Sequence, residues 1–230
     1  MTTPRARARA QTMADILRIG REHLATDGAA ALSLRAVARD LGVVSSAVYR
    51  YVRSRDELLT LLVIDGYDTL GDTVDAALAT APDDPVERLR ITARTVRSWA
   101  LAEPAWYGLL FGTPVPGYAA PADRTVAPGT RIIVTLLQLV DRAYRQGLLT
   151  GQRADEAVAE PLGGDLRRVC EELELDLPDW VVARALTVYC SLFGAVNADV
   201  FDMYGADTFT RRDQVFEVHI GAWDALLGVV

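Results

Sequence analysis

A chain of 230 residues is long enough for one large domain or for a small and a medium one, and with half its residues apolar it can bury a substantial core. No apolar run reaches the length that crosses a bilayer, and no export-type apolar segment follows the basic start MTTPRARARA, so a cytoplasmic protein with no membrane partner is expected. The net charge of −7 argues against nucleic acid until it is divided along the chain: residues 1–60 hold ten Arg against six acidic residues, a balance of +4, and residues 61–230 hold fourteen against twenty-five, a balance of −11.

A basic first quarter on an acidic remainder suits a DNA reader with a separate domain that does not touch DNA. The chain has no Lys, so every cationic side-chain contact falls to Arg, whose flat fork grips phosphate or guanine through two parallel hydrogen bonds. Cys170 and Cys190 show no metal spacing, and both read as small buried hydrophobes rather than a disulfide.

Residues 1–10 alternate Arg5, Arg7 and Arg9 with small residues and read as a disordered arm, either a solvated tail or a contact to phosphates or a minor groove. From Gln11 to Asp27, the spacing of Met13, Ile16, Leu17, Gly20 and Leu24 predicts a helix stopped by Gly28. His23 reads as a surface or cap residue, because the other histidine, His219, is far along the chain.

Ser33 is a plausible N-cap for a short helix in which Val37, Ala38 and Leu41 share a face, and Gly42 can take the positive φ that ends it. A second pattern runs from Ser45 to Tyr51 or Val52, with Val48 and Val52 on the buried side, and Ser54 to Glu57 form a capping box for a third. Two helices of about two turns joined by a glycine turn read as a helix-turn-helix. Ser45, Ser46, Ala47, Tyr49, Arg50 and Tyr51 lie at the N-terminal end and outer face of the second helix. Short hydroxyls, a methyl, phenols and a guanidinium suit base edges and phosphates. The same periodicity also fits a helix pair inside an all-α domain with the tyrosines in its core.

A long helix follows from Ser54 to about Thr80, and Asp84-Pro85-Val86-Glu87 starts another that runs to about Ala102. A short aromatic helix, Ala105 to Gly112, precedes a proline-rich stretch, Thr113 to Gly129, that has no period and reads as a lid or portal loop. Amphipathic helices are predicted over Thr130–Gln146, weakly over Arg153–Glu160, and over Asp165–Leu173, the last two separated by Gly163-Gly164. Pro178 to Met203 is apolar on more than one face and Thr210 to Leu227 forms the last helix, so both are candidates for burial on two sides. The sequence thus predicts an all-α chain with no strand, repeat or low-complexity tract. It also lacks HExxH, GxSxG, P-loop and GxGxxG patterns, so no catalytic residue, metal site or cofactor is expected.

The stretch LSLRAVARDLGVVSSAVYRYVRSRDELL resembles the DNA-binding domain of the TetR family of bacterial transcription regulators. The resemblance rests on the turn Gly42-Val43, the small-residue run Ser45-Ser46-Ala47, the block Val48 to Val52 and the entry Ser54 to Leu59, within about residues 10–65. Tyr51 stands where many members carry His, and Val52 where many carry Phe. Ser98 to Gly112 and Ser191 to Gly194 resemble, more loosely, the W-H-G type of C-terminal domain, with Leu192-Phe193-Gly194 in place of an intact triplet.

The resemblance implies an N-terminal three-helix DNA-binding domain, residues 1–55, and a helical regulatory and dimerisation domain, residues 56–230. It implies a homodimer through 178–203 and 210–227, and a repressor released from a palindrome-like operator on double-stranded DNA by a small-molecule inducer. Carried over by position, Arg35, Tyr49 and Arg55 should meet phosphates, while Ser45, Ser46, Arg50 and Tyr51 are base-edge candidates and Ala47 lies among them. Trp99, Trp106, Tyr107, Phe111, Tyr144, Tyr189 and Phe193 could line an apolar cavity, with Gln138 and Asn197 as orienting polar groups; ordinary core is the other reading of these aromatics. An all-α carrier or adaptor without specific DNA binding is the alternative function.

Overall fold

The computed structural model describes residues 3–150 and 158–230. These form eleven helices: α1 (Pro4–Ala31), α2 (Leu34–Asp40), α3 (Ser45–Val48), α4 (Arg55–Ala79), α5 (Pro85–Ala102), α6 (Pro104–Phe111), α7 (Ala122–Gly129), α8 (Arg131–Arg145), α9 (Leu162–Glu172), α10 (Asp179–Val200) and α11 (Arg212–Leu227). No strand occurs among the described residues, and an isolated antiparallel bridge pairs Leu149 with Val229. The expected all-α class with an N-terminal helix-turn-helix is the observed one. Two compact units result, Met1–Thr69 with Glu103–Gly129, and Leu70–Ala102 with Thr130–Val230. By compactness α4 is shared between the two units, and the first unit also takes in α6 and α7.

In the first unit, Ile16 and Ile19 of α1, Val37 and Ala38 of α2, Val48 of α3, Val52, and Leu58, Leu59 and Leu62 of α4 form one buried cluster. Each Val, Leu or Ile among them stabilises the fold by about 1.5–3 kcal/mol when fully buried. Gly20 lets α1 lie close to α4: a Cβ there would already sit 3.4 Å from a Leu62 methyl. Gly42 takes φ +72° in the turn between α2 and α3, as expected from its position. The capping box is present: Ser54 Oγ accepts from the Glu57 amide at 3.1 Å, and Glu57 Oε2 accepts from the Arg53 amide at 2.6 Å. Gly28 breaks α1 at φ +76°, and one further turn reaches Ala31.

Several expectations for this unit need correction. Residues 4–10 are not a disordered arm but the first turns of α1, started by Thr3, whose hydroxyl accepts from the Ala6 amide at 3.2 Å, and by Pro4 at the first helical position. The recognition segment is helical only over Ser45–Val48 and continues as a turn through Tyr51. The stretch 113–129 is not a structureless lid: Val115 and Tyr118 pack on the helix-turn-helix core, Tyr118 and Thr60 share a 3.0 Å hydrogen bond, and α7 fills its second half. His23 is neither a surface nor a cap residue. Its Nε2 lies 2.6 Å from Asp40 Oδ2, tying α1 to the end of α2, with the side chain 13% exposed. That hydrogen bond, followed by Arg39, holds the Asp40 carboxyl below its ordinary value.

In the second unit, α10 packs against α5, α8, α9 and α11. This 22-residue helix contains an 18-residue window of mean hydropathy 1.4 and is, by length and composition only, able to cross a bilayer, which corrects the reading that no segment was. Inside this unit it instead buries Val181, Val182, Val188, Leu192 and Val196, and it carries Asp199 in an ion pair with Arg97 of α5 at 2.6 Å. A ladder of further ion pairs joins α5 to α11: Glu87 bridges Arg90 and Arg94, Arg90 reaches Asp224 at 2.9 Å, and Arg94 reaches Glu217 at 2.8 Å. Partly exposed pairs add little stability each, but together they set the register of the two helices.

Here too the sequence reading is adjusted. The helix expected over Arg153–Glu160 falls mostly outside the described residues, and 158–160 are not helical. Gly163 and Gly164 lie within α9 rather than before it, α10 ends at Val200, and α11 begins at Arg212. Cys170 is buried as expected, whereas Cys190 is exposed on α10; both are free thiols.

Candidate nucleic-acid interface

The helix-turn-helix stands on two short helices that cannot hold themselves. Helix α2 has seven residues and α3 four, well below the length at which an isolated helix is stable, so burial of Val37, Ala38, Val48 and Val52 fixes them. Neither the Ser33 nor the Val44 side chain makes a capping hydrogen bond.

This packing presents one edge of polar and cationic groups. Ser46, Tyr49 and Arg50 are exposed, and Ser45, Ala47 and Tyr51 are half-buried. Arg35 projects from the first turn of α2, and a cleft of about 310 Å³ gathers Arg35, Tyr49 and Arg55 around Ser33. The three residues assigned to phosphates from sequence are therefore neighbours in space, although twenty positions separate the first from the last. Arg55 has an additional role: its guanidinium donates to the carbonyls of Ala29 at 2.9 Å and Ala30 at 3.3 Å at the end of α1. Tyr51 leans onto the hydrophobic cluster, with the Arg9 guanidinium 5.2 Å from its ring centroid. Val43 and Val44, absent from the sequence-derived candidates, are 40% and 71% exposed immediately before α3. An apolar side chain there can meet a thymine methyl. The signal was present in the sequence as the N-cap position, but valine alone reads as core.

Charge pairing differs among the cations of the first unit. Among the described residues, Arg5, Arg7, Arg9, Arg35, Arg50 and Arg53 have no carboxylate within ion-pair distance, whereas Arg18, Arg21, Arg39 and Arg55 do. In the second unit Arg90, Arg94, Arg97, Arg131, Arg142 and Arg145 all do. Of the guanidinium groups without a carboxylate, those on the helix-turn-helix, Arg35 and Arg50, are suited to an external polyanion.

Residues 16–62 match the bacterial regulatory proteins of the tetR family, and residues 89–223 match the tetracyclin repressor-like C-terminal domain. This chain belongs to the TetR family. It is 44% identical over 213 residues to the HTH-type transcriptional regulator Rv1816 of Mycobacterium tuberculosis (strain ATCC 25618 / H37Rv), covering 91% of this chain and 89% of that protein. The match to Mb1846 of Mycobacterium bovis is the same in extent and identity. A crystal structure of the regulatory protein SCO4313 superposes with a TM-score of 0.77 at 31% identity, covering 96% and 98% of the two chains. PfmR of Thermus thermophilus, a TetR family transcriptional regulator, shares the fold at a TM-score of 0.58 and 18% identity, covering 92% of this chain and 96% of that one. This TetR-family chain is thus a DNA-binding transcriptional regulator and not an enzyme.

The candidate ligand residues do not gather in one place within either unit. Trp106, Tyr107 and Phe111 lie on α6 in the first. Trp106 is 1% exposed with Arg21 stacked 3.9 Å above its ring, and Phe111 meets Tyr67 edge-on. In the second unit Trp99 is buried on α5, Tyr144 meets the edge of Trp180, and Tyr189 and Phe193 stack edge-on at 4.9 Å along α10 near Asn197. Gln138 is exposed and lines a mixed cleft of about 440 Å³ with Asp75, Arg88 and Arg142 and with Leu78 and Leu139.

Proposed function

We infer that this regulator binds a palindrome-like operator as a homodimer in the cytoplasm, represses there, and is released by a small, largely hydrophobic inducer. The unpaired guanidinium edge of the helix-turn-helix carries the DNA half of this reading. Arg35, Tyr49 and Arg55 bind backbone phosphates, and Val44, Ser45, Ser46, Ala47, Arg50 and Tyr51 face base edges. One such edge makes few contacts. Two held about 34–36 Å apart by a two-fold axis read successive major-groove faces.

The outer faces of α10 and α11 support the dimer. Cys190 and Gly194 on α10, and Val218, Ala222 and Leu226 on α11, are exposed without charge, and Val218 is 73% exposed. Small residues let a partner's helices approach closely in a four-helix arrangement.

The inducer half rests on the packing of the second unit. Leu89, Leu136, Val188, Leu192 and Trp223 line an apolar seam among α5, α8, α10 and α11 whose free space is about 30 Å³, room for about one water. A larger apolar molecule enters such a seam only by parting these helices, and its binding energy then favours the parted geometry. Trp99, Tyr189, Phe193 and Asn197, on α5 and α10 but outside the lining of that seam, are the further ligand contacts of this reading.

The test is binding to duplexes from the protein's own upstream DNA, followed over salt concentration. A sequence-selective, salt-sensitive complex is expected, weakened for all sequences by Tyr49→Phe and relaxed at one base position by Arg50→Ala. Absence of a specific complex would instead favour a carrier. A monomer by sedimentation at binding concentrations would remove the dimer.

A further inference from the structure

Helix α1 begins about two turns before the core needs it. The face that buries Ile16 and Gly20 and half-buries Thr12 and Met13 continues backwards, at three- and four-residue steps, through Arg9 and Arg5. Arg7 falls on the opposite side. The stripe therefore changes from apolar to cationic where α1 runs past the helix-turn-helix core, and Arg9 lies over the ring of Tyr51 at the end of the recognition segment. Residues 4–10 carry three Arg and no acid, and none of the three has a carboxylate partner among the described residues.

We propose that the first turns of α1 are a second DNA-contacting element, in which Arg5 binds a backbone phosphate and Arg9 positions Tyr51. The proposal rests on the DNA reading above and extends it to a part of the chain outside the helix-turn-helix. A helical mount matters physically. A disordered arm would lose conformational freedom on binding, whereas α1 is already ordered by Thr3, Pro4 and its packing further along. The helix also separates the three arginines by direction, which an extended arm would not do.

The full chain and its Arg5→Gln, Arg7→Gln and Arg9→Gln variants are titrated by fluorescence anisotropy, across a salt series, against a duplex that the parent protein selects from a random pool. Loss of one phosphate contact per subunit makes the log–log salt dependence of Arg5→Gln shallower by about 1.8 for a dimer. Arg7→Gln keeps the parent slope. Arg9→Gln relaxes base preference at the same position as Tyr51→Leu, and the double variant goes no further. Equal slopes for Arg5→Gln and Arg7→Gln, or additive changes in base preference for Arg9→Gln and Tyr51→Leu, overturn the proposal while leaving the helix-turn-helix reading intact. A parent protein that forms no salt-sensitive complex overturns both.

Discussion

Replacing Asp199 by Ala should destabilise the second unit by about 3–5 kcal/mol. Asp199 and Arg97 meet at 2.6 Å with side chains 4% and 16% exposed, so water screens them poorly. Two charges about 4 Å apart attract by about 4 kcal/mol at an effective dielectric constant near 20. Removing both from water costs several kcal/mol per ion, so the pair contributes little net stability over an apolar replacement. The balance fails when one partner goes. Arg97 stays enclosed beneath Phe216, 5.1 Å from the ring centroid, without the carboxylate to which it donates. Since each kcal/mol moves the midpoint by about 2–4 °C in a chain of this size, the expected fall in thermal midpoint is about 6–20 °C. Arg97→Met combined with Asp199→Leu should return close to the parent value, because no buried charge is then stranded. Thermal and urea unfolding of the two single variants and the double variant measure the coupling. A cost below about 1 kcal/mol for Asp199→Ala, the range of an exposed pair, would refute the reasoning, as would strict additivity.

Two further outcomes follow from local geometry. Gly42→Ala should cost about 1–2 kcal/mol, seen as a lower unfolding midpoint, because the turn needs φ +72° although a Cβ there would meet nothing within 4 Å; an unchanged midpoint would show that the turn relaxes freely. Glu217 is held below its ordinary value chiefly by the hydrogen bond from Arg94; burial, the next largest effect, opposes this, and the charges of Arg94, Arg97 and Arg90 add to the lowering. A carboxyl lowered in the folded state adds stability above its unfolded value of about 4.3, and that stability is lost as pH falls through the folded value. Unfolding midpoints should therefore drop on acidification from about pH 5 downward, and Glu217→Gln should lose less over that interval than the parent; an identical acid profile would place the effect elsewhere.

The sequence was most legible where chemistry is local. Ser54 and Glu57 cap α4 because capping needs only neighbours along the chain, and Gly42 turns because only backbone freedom is involved. The periodicity of Val37, Ala38, Val48 and Val52 gave the buried side of the helix-turn-helix correctly. Misreadings came where the deciding partner was distant in sequence. His23 found Asp40, and Tyr118 found Thr60. Neither of these pairs leaves a periodic mark.

By itself, then, the sequence determined helix type, the family, the helix-turn-helix and the uneven distribution of charge, since each follows from spacing or composition. Tertiary structure alone decided which guanidinium groups are neutralised by carboxylates and which remain unpaired, and which aromatics are enclosed. Neutralisation and enclosure depend on contacts between helices far apart in the chain, and one-dimensional periodicity carries no distance between such helices.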